Sequence, residues 1–244
     1  MQRNIKTCLI TIMLVLMVLF VQAVDAFLDE FERKKLGDDW TVDGGAAKND
    51  FRGWSIDKGE VVYDPAKGAN SRMLTGEKNW KDYTVECDVK FITSSNYPGG
   101  IRTYVDAETG GHYAVWFYPP TKTIKLYSGT VFDINPGIVT LGEHVGVPYD
   151  AKENVFYYIK VIHKGKQIEV WFGKNKDKAE KIIEANDGKF KSGLFAFDRY
   201  NQPVHFDNIL ITGPGIPRSD GEAVESQDKL AIGWGILKSN KISK

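Results

Sequence analysis

Aromatic rings and hydrogen-bonding side chains alternate along three predicted strands between Gly99 and Gly129. Successive residues of a β-strand point to opposite faces of a sheet, so each of these strands has one apolar face and one mixed face. The mixed face is predicted to carry Arg102, Tyr104, Asp106, His112, Trp116, Tyr118 and Tyr127. Aromatic rings stack on the C–H faces of sugars, and the polar groups among them suit sugar hydroxyls. The pattern therefore predicts a glycan-binding face.

Individual members of this mixed face have alternative interpretations. A β-bulge would turn Trp116 and the tyrosines into the core, because one extra residue reverses every side chain beyond it. Arg102 is either a fork for sugar hydroxyls or carboxylates, or the partner of a neighbouring acid such as Asp106. Asp198 lies beside Arg199 at the end of a later strand, where a ligand contact or an ion pair is expected.

The elements that must position these residues are short strands. Alternating segments separated by Gly, Asn and Asp turns recur from residue 27 to 212, and they predict an all-β sandwich of antiparallel sheets. Beyond the three strands above, strands are predicted at Val61–Tyr63, Tyr83–Ile92, Phe156–His163, Gln167–Phe172, Lys191–Asp198 and Val204–Thr212. Residues 135–151, rich in Gly, Pro and Val, are predicted to form a long loop.

The two ends of the chain have a different character. Residues 1–26 have a basic start, an apolar run and small residues before residue 27, the pattern of a secretory signal peptide. Its removal leaves no membrane span and predicts a secreted or periplasmic protein, with an uncleaved N-terminal anchor as the alternative. Residues 213–229 are predicted to be a linker. Residues 230–244, which include Trp234, form a short apolar tail that either packs on its own domain or binds a protein partner.

Charge and cysteine content exclude several classes of function. Lys+Arg and Asp+Glu both number 32, and this balance gives no electrostatic reason to expect a nucleic-acid partner. Cys87 is the single cysteine after residue 26, so the mature chain forms no internal disulfide. It lies on the apolar face of a predicted strand and is expected to be a buried thiol. The four histidines lack the spacing of a zinc site.

A series of landmarks from residue 27 to 212 resembles a concanavalin A-like (LamG-like) jelly roll. In order they are FLDEFE, Trp40, GWSIDKGEVV, NWKDYTVECDVKF, GGIRTYVD, HYAVWFY, YYIKVIHKGKQIEVWF and KSGLFAFDRYNQPVHFDNILI. This order is similar to carbohydrate-binding module family 66 and to the 3-keto-disaccharide hydrolase domain family. The resemblance implies two curved antiparallel sheets with a ligand on the concave one. Only the glycine and the Arg of Gly99–Arg102 match the N-S-G-containing strand of the hydrolase domains.

Catalysis is the alternative to binding. Glycosidases need two carboxylates that flank the scissile bond. Family-16 glycoside hydrolases, which share the implied fold, place theirs as E-x-D-x-E, and the nearest string here is Glu86 to Lys90, E-x-D-x-K, without the third carboxylate. Asp106 or Asp198 would then serve as the acid or the base of a glycoside or 3-keto-disaccharide hydrolase.

The resemblance also implies a possible structural calcium ion. Jelly rolls of this kind often join the first strand to the last through a hard cation with oxygen ligands. Asp29 and Glu30 near the start of the domain and Asp207 near its end are the candidate ligands. No other cofactor is expected.

Overall fold

The computed structural model describes residues 26–43, 51–64, 71–92, 98–130, 137–147, 154–199 and 204–217. These residues contain fifteen strands and two short 3-10 turns, and no α-helix lies among them. The strands are β1 (Ala26–Asp29), β2 (Thr41–Val42), β3 (Trp54–Asp57), β4 (Glu60–Tyr63), β5 (Met73–Thr75), β6 (Thr84–Phe91), β7 (Gly99–Val105), β8 (His112–Tyr118), β9 (Thr123–Gly129), β10 (Val139–Val145), β11 (Phe156–Lys164), β12 (Gln167–Gly173), β13 (Glu180–Asn186), β14 (Leu194–Arg199) and β15 (Val204–Thr212).

The strands form two antiparallel sheets. One has eight strands in the order β13-β12-β11-β6-β15-β4-β3, with β1 also paired to β15. The other has seven, in the order β10-β9-β8-β7-β14-β5-β2. A single large core of aliphatic and aromatic side chains fills the space between them. The two-sheet antiparallel jelly roll predicted from the sequence is confirmed.

The alternation of β6 shows how the sequence builds this sandwich. Val85, Cys87 and Val89 point into the core, whereas Glu86 and Asp88 lie on the outer face of the eight-stranded sheet. Cys87 is buried as expected, and burial raises the pKa of its thiol well above the ordinary value. The thiol is therefore inert at neutral pH.

One predicted loop contains a strand. The composition of residues 135–151 predicts a loop, but Val139–Val145 pairs with β9 as the edge strand β10. This strand escapes a pattern search because a bulge between Thr140 and Gly142 interrupts its register and because Val139 and Val145 are exposed. The strand β13 was also not predicted, since four of its seven residues are charged or polar.

The described residues contain no helix of the length and apolar character needed to cross a membrane. The predicted signal peptide, apart from Ala26, and the C-terminal tail lie outside the described residues, as does most of the linker. Those assignments stay predictions from the sequence.

Candidate functional site

A buried network of polar side chains lies on the outer face of the seven-stranded sheet, away from the main core. Its centre is Asp198 on β14, whose Oδ2 accepts hydrogen bonds from Arg102 Nε at 2.6 Å and from Trp116 Nε1 at 2.9 Å. Arg102, Trp116 and Asp198 are each only 2% exposed. The guanidinium carbon of Arg102 lies 5.4 Å from the centroid of the Trp116 ring. Three side chains from three strands are thus held as one unit, which we call the Arg102–Asp198 network.

Small residues on the neighbouring strands make room for these large side chains. Asp198 is paired with Gly100, and Gly100 with Trp116, so the indole reaches across β7 where no side chain intervenes. Arg102 in turn lies between Ala196 and Ala114. A Cβ on Gly100 would lie 2.0 Å from the carbonyl oxygen of Val115, so this position accepts only glycine.

Electrostatics keep Asp198 ionised. Burial acts to raise the pKa of its carboxyl, but the positive charges of Arg102 and Arg72 and the hydrogen bond from Arg102 outweigh that effect and lower it. Arg72 belongs to a second ion pair, in which its Nε donates to Asp43 Oδ2 at 2.6 Å. The pairing of Arg72 with Asp43 could not be predicted from the sequence, because nothing near either residue indicates a partner 29 residues away.

His112 extends the network along β8. Its Nδ1 lies 2.7 Å from the carbonyl oxygen of Gly110 and 3.2 Å from Arg102 Nη1. The residue is 1% exposed, and burial together with the charge of Arg102 lowers the pKa of its imidazole to about 4. His112 is therefore neutral at physiological pH.

Two tyrosines form the margin of the network. The Tyr127 ring packs on Trp116 with 5.2 Å between centroids, and its hydroxyl lies 3.0 Å from that of Tyr118. Tyr118 is partly exposed, and Lys125 Nζ lies 5.5 Å from the centroid of its ring. Ile138 packs against the same group of rings. The margin thus offers an aromatic surface, hydroxyl groups and a cation together.

Six of the eight predicted ligand contacts share this face, and two do not. Tyr104 is turned into the core, because β7 carries a bulge opposite Phe195 and because Tyr104 itself has a φ of 51°. Its ring stacks on buried His163 with 4.1 Å between centroids. Asp106 lies in the turn after β7, where its carboxylate accepts hydrogen bonds from Thr109 and from the amide of Glu108. Neither Tyr104 nor Asp106 belongs to the network.

Trp116 differs from its predicted role in another respect. The strand pattern predicts its ring as an open platform for stacking a sugar, but the ring is buried between Arg102 and Tyr127. Of the six residues that share the face, Tyr118 has the accessible ring. The indole therefore lies beneath the margin and does not form part of its exposed surface.

The structure does not assemble the predicted calcium ligands. Both carboxylate oxygens of Asp29 accept hydrogen bonds from Arg33, and Oδ2 also accepts one from Trp40 Nε1 at 2.8 Å. Among the described residues, no three or more His, Cys, Asp or Glu side chains are placed together to hold a metal ion, so Asp29, Glu30 and Asp207 do not form such a group. A calcium site built from these three residues therefore does not fit the structure.

Asp207 lies instead opposite Asp88 on the outer face of the eight-stranded sheet. Burial raises the pKa of Asp207 to about 7, and the nearby carboxylates of Asp88, Glu60 and Glu32 add to the rise. The ionised form of Asp207 is therefore less stable in the folded protein than in the unfolded chain, and it lowers the free energy of unfolding.

Asp207→Asn is expected to stabilise the protein at pH 8 by about 1 kcal/mol, a value reduced for solvent screening at this half-buried position. Its folded pKa lies above the unfolded value of 3.8, so the cost of the carboxylate is full above pH 7 and falls to a small fraction at pH 4. Urea unfolding at the two pH values measures the difference, with the exposed Asp177→Asn as the control. An equal gain at both pH values would contradict the electrostatic explanation.

The Glu86–Lys90 string lies on this same outer face, on the opposite side of the sandwich from the Arg102–Asp198 network. A groove of about 490 Å³ runs past Glu86 and Asp88. Glu86 Oε2 accepts hydrogen bonds from Tyr158 at 2.6 Å and from Lys176 at 2.5 Å. Asp88 accepts one from Asn208 at 2.8 Å. The carboxylates of Glu86 and Asp88 are therefore both hydrogen-bonded to neighbouring side chains.

The fold is a jelly-roll sandwich of the kind found in carbohydrate-binding modules and glycoside hydrolases. Residues 28–212 match the model of the 3-keto-alpha-glucoside-1,2-lyase-like domain, and the chain belongs to that family. No curated protein has a sequence that matches this chain significantly.

Solved structures show the same fold at low sequence identity. Carbohydrate-binding module CBM66 from Bacillus subtilis is 17% identical with a TM-score of 0.55, and the match covers 72% of this chain and 96% of the module. An endo-β-1,3-glucanase from Pyrococcus furiosus is 16% identical with a TM-score of 0.53, over 76% and 92% of the two chains. A lichenase from a mouse hindgut metagenome is 11% identical with a TM-score of 0.53, over 78% and 99%. At these identities the likeness establishes the fold and not the activity.

Proposed function

We propose that the protein is a secreted, non-catalytic glycan-binding domain whose site is the margin of the Arg102–Asp198 network. The observation that carries the proposal is the placement of a fully buried ion pair, an indole and a neutral imidazole on the outer face of a sheet. A buried ion pair is a costly way to stabilise a fold, and such groups concentrate at functional sites. The family match and the CBM66 likeness support a glycan-related role.

The Arg102–Asp198 network is a rigid support for the margin. Arg102 and Trp116 donate to the same oxygen of Asp198, so none of the three side chains can rotate without breaking a buried hydrogen bond. Tyr118 and Tyr127 lie at the edge of the network and therefore present a ring face and two hydroxyls in fixed positions. A ring with hydroxyls at its edge suits one or two sugar units, and preorganisation lowers the entropy cost of binding them.

The charges at the site favour binding over hydrolysis. A glycosidase needs one protonated and one ionised carboxyl group on either side of the bond. Asp198 is buried and held ionised by Arg102. The Asp106 carboxylate accepts a hydrogen bond from Thr109 within its own turn. Neither carboxyl group has the raised pKa of a general acid.

The family description favours a second candidate, an enzyme that cleaves 3-keto-glycosides. Incubation with 3-keto-trehalose, followed by chromatography of the released sugar, tests this directly. Turnover that is lost in an Asp198→Asn variant that circular dichroism shows to be folded would replace the binding proposal with the enzymatic one. Turnover unaffected by that substitution would move the search to the Glu86 groove.

A glycan array and a polysaccharide pull-down with residues 27–244 test the binding proposal. We expect Tyr118→Ala to weaken capture about tenfold or more, because the accessible ring of the margin is lost. Trp171→Ala is the matched control, since Trp171 is a partly exposed aromatic residue on the outer face of the other sheet. A parallel arm with EDTA tests calcium dependence. A folded protein that captures no glycan, or equal loss in both variants, would refute the proposal.

A further inference from the structure

Val145 is the most exposed of the large apolar side chains among the described residues, with 65% of its surface accessible. Two others are exposed, Val139 at 51% and Val155 at 36%. An isolated valine on a protein surface needs no explanation, but Val145 belongs to the sheet that carries the proposed glycan site. Its position relative to the accessible ring of Tyr118 therefore decides whether it meets a bound sugar.

The strand register places Val145 in line with Tyr118. Tyr118 on β8 is paired with Thr123 on β9, and Thr123 is paired with Val145 on β10. Glu143, two residues before Val145, reaches Lys125 on the outer face of the sheet, with 3.1 Å between Oε2 and Nζ. Residues two apart on a strand share a face, so Val145 also lies on the outer face. Two strand spacings, about 10 Å, separate the backbone of Val145 from that of Tyr118.

The contacts described above for the Tyr118 side chain come from one direction. Lys125 Nζ lies 5.5 Å from the centroid of its ring, and the Tyr127 hydroxyl lies 3.0 Å from its own. Lys125 and Tyr127 both follow Thr123 along β9, whereas Thr123 itself is level with Tyr118 and Val145. Thr123 is only 4% exposed, so its side chain does not protrude between the other two. A ligand on the Tyr118 ring therefore has access to Val145.

The backbone holds Val145 in a fixed position. The amides of Gly146 and Val147 donate to the same carbonyl oxygen, that of Lys122, at 2.9 and 3.1 Å. The Val147 side chain is buried in the main core. A Cβ on Gly146 would meet no heavy atom within 4 Å apart from its chain neighbours, so the space beside this turn is open. A surface that is ordered before the ligand arrives loses less entropy on binding.

We propose that Val145 is a specificity-determining residue that contacts a methyl substituent of the sugar bound on Tyr118. The proposal rests on the glycan-binding function above and names the chemical class of its ligand, a methyl-bearing sugar such as a 6-deoxyhexose or an acetylated sugar. The C–H face of the sugar stacks on the tyrosine, and the edge of the sugar ring carries hydroxyls. Val145 lies beside the tyrosine and meets that edge, where a methyl group gives an apolar contact and a hydroxymethyl group loses hydrogen bonds to water.

Pairs of glycosides that differ in one methyl-bearing group test this assignment. Methyl α-L-rhamnoside and methyl α-L-fucoside are the 6-deoxy forms of methyl α-L-mannoside and methyl α-L-galactoside. Methyl N-acetyl-β-D-glucosaminide and methyl β-D-glucoside form a third pair, which separates an acetyl methyl from a deoxy methyl. We expect the methyl-bearing member of one pair to bind about fourfold more tightly, the change that corresponds to burial of one methyl group. NMR titration measures the affinities, and saturation-transfer difference spectra show whether the sugar methyl group contacts the protein.

Two valine substitutions on the same strand provide the test and its control. Val145→Thr keeps the β-branched shape and replaces one methyl group by a hydroxyl, so the preference for the methyl-bearing sugar should disappear. Val139→Thr makes the same change at an exposed valine that is paired with Ser128, and Ser128 has the opposite phase from Tyr127. This control should keep the preference. Circular dichroism melting of both variants excludes misfolding as the cause.

The outcomes distinguish this assignment from the glycan-binding function itself. Equal affinity within every pair, or a preference that persists in Val145→Thr or falls equally in Val139→Thr, would overturn the role of Val145 alone. Capture of glycans on the array by a protein that binds none of the methyl-bearing glycosides would do the same. A folded protein that binds no glycoside and captures no glycan would overturn the glycan-binding function as well.

Discussion

Arg102→Met is expected to lower the free energy of unfolding by about 3–5 kcal/mol, the largest effect among the substitutions considered for this face. The substitution leaves the Asp198 carboxylate buried, with Trp116 as its remaining donor among the described side chains, and removing one partner of a buried ion pair has a cost of that size. Chemical unfolding followed by tryptophan fluorescence measures it. The double variant Arg102→Met/Asp198→Leu is expected to recover much of the loss, because neither charge of the pair is then left buried without the other.

An exposed ion pair provides the control. Lys78 and Glu108 form a contact on the surface with both side chains more than half exposed, so Lys78→Met should change stability little. A small loss in Arg102→Met as well would mean that water reaches Asp198, and the network would then not be the buried unit described above. Similar stabilities of the single and double variants would lead to the same conclusion.

Acid pH is expected to weaken the fold through His163, which lies in the core against Tyr104. Burial lowers the pKa of His163 from 6.5 to about 3, so the unfolded chain binds its proton first. The neutral His163 therefore leaves the free energy of unfolding at its full value above pH 6.5. As the pH falls from 6.5 toward 3, the unfolded chain takes up a proton that the folded protein does not, and the free energy of unfolding decreases. By pH 4.5 the loss from His163 alone is about 2–3 kcal/mol. His112, with its pKa of about 4, adds to the loss.

The slope of stability against pH isolates this effect. In His163→Gln the dependence of the unfolding free energy between pH 5 and 6 should fall by about 1.4 kcal/mol per pH unit, the contribution of one proton. Above pH 7.5 the two curves should run parallel, whatever the variant costs in packing. An unchanged slope would show that His163 takes up its proton in the folded state.

Alternation within single strands made much of this face predictable. Arg102, Trp116, Tyr118 and Tyr127 were assigned to one side of the sheet from the period of two residues, and the structure places them there. Tyr104 could not be assigned correctly, because the bulge is set by pairing with β14, some ninety residues away. A tyrosine with positive φ gives no warning in a sequence, where glycine would.

The partners of charged groups were the least predictable part. Arg102 and Asp198 are 96 residues apart, and only the neighbouring positions of β7 and β14 bring them together. Asp106, by contrast, could have been recognised as a turn residue. Its carboxylate bonds to the amide of Glu108 two residues on, which is the local pairing that Asp and Asn make in tight turns.

The burial of Cys87 makes this chain a convenient host for site-specific chemistry. Its thiol is inaccessible, and no other cysteine follows residue 26, so residues 27–244 carry no reactive sulfhydryl. A cysteine introduced at Lys125 or Glu143, which lie partly exposed beside Tyr118, would therefore be the single site for a fluorophore or a spin label. Such a label could report ligand occupancy in the native sandwich without any removal of endogenous thiols.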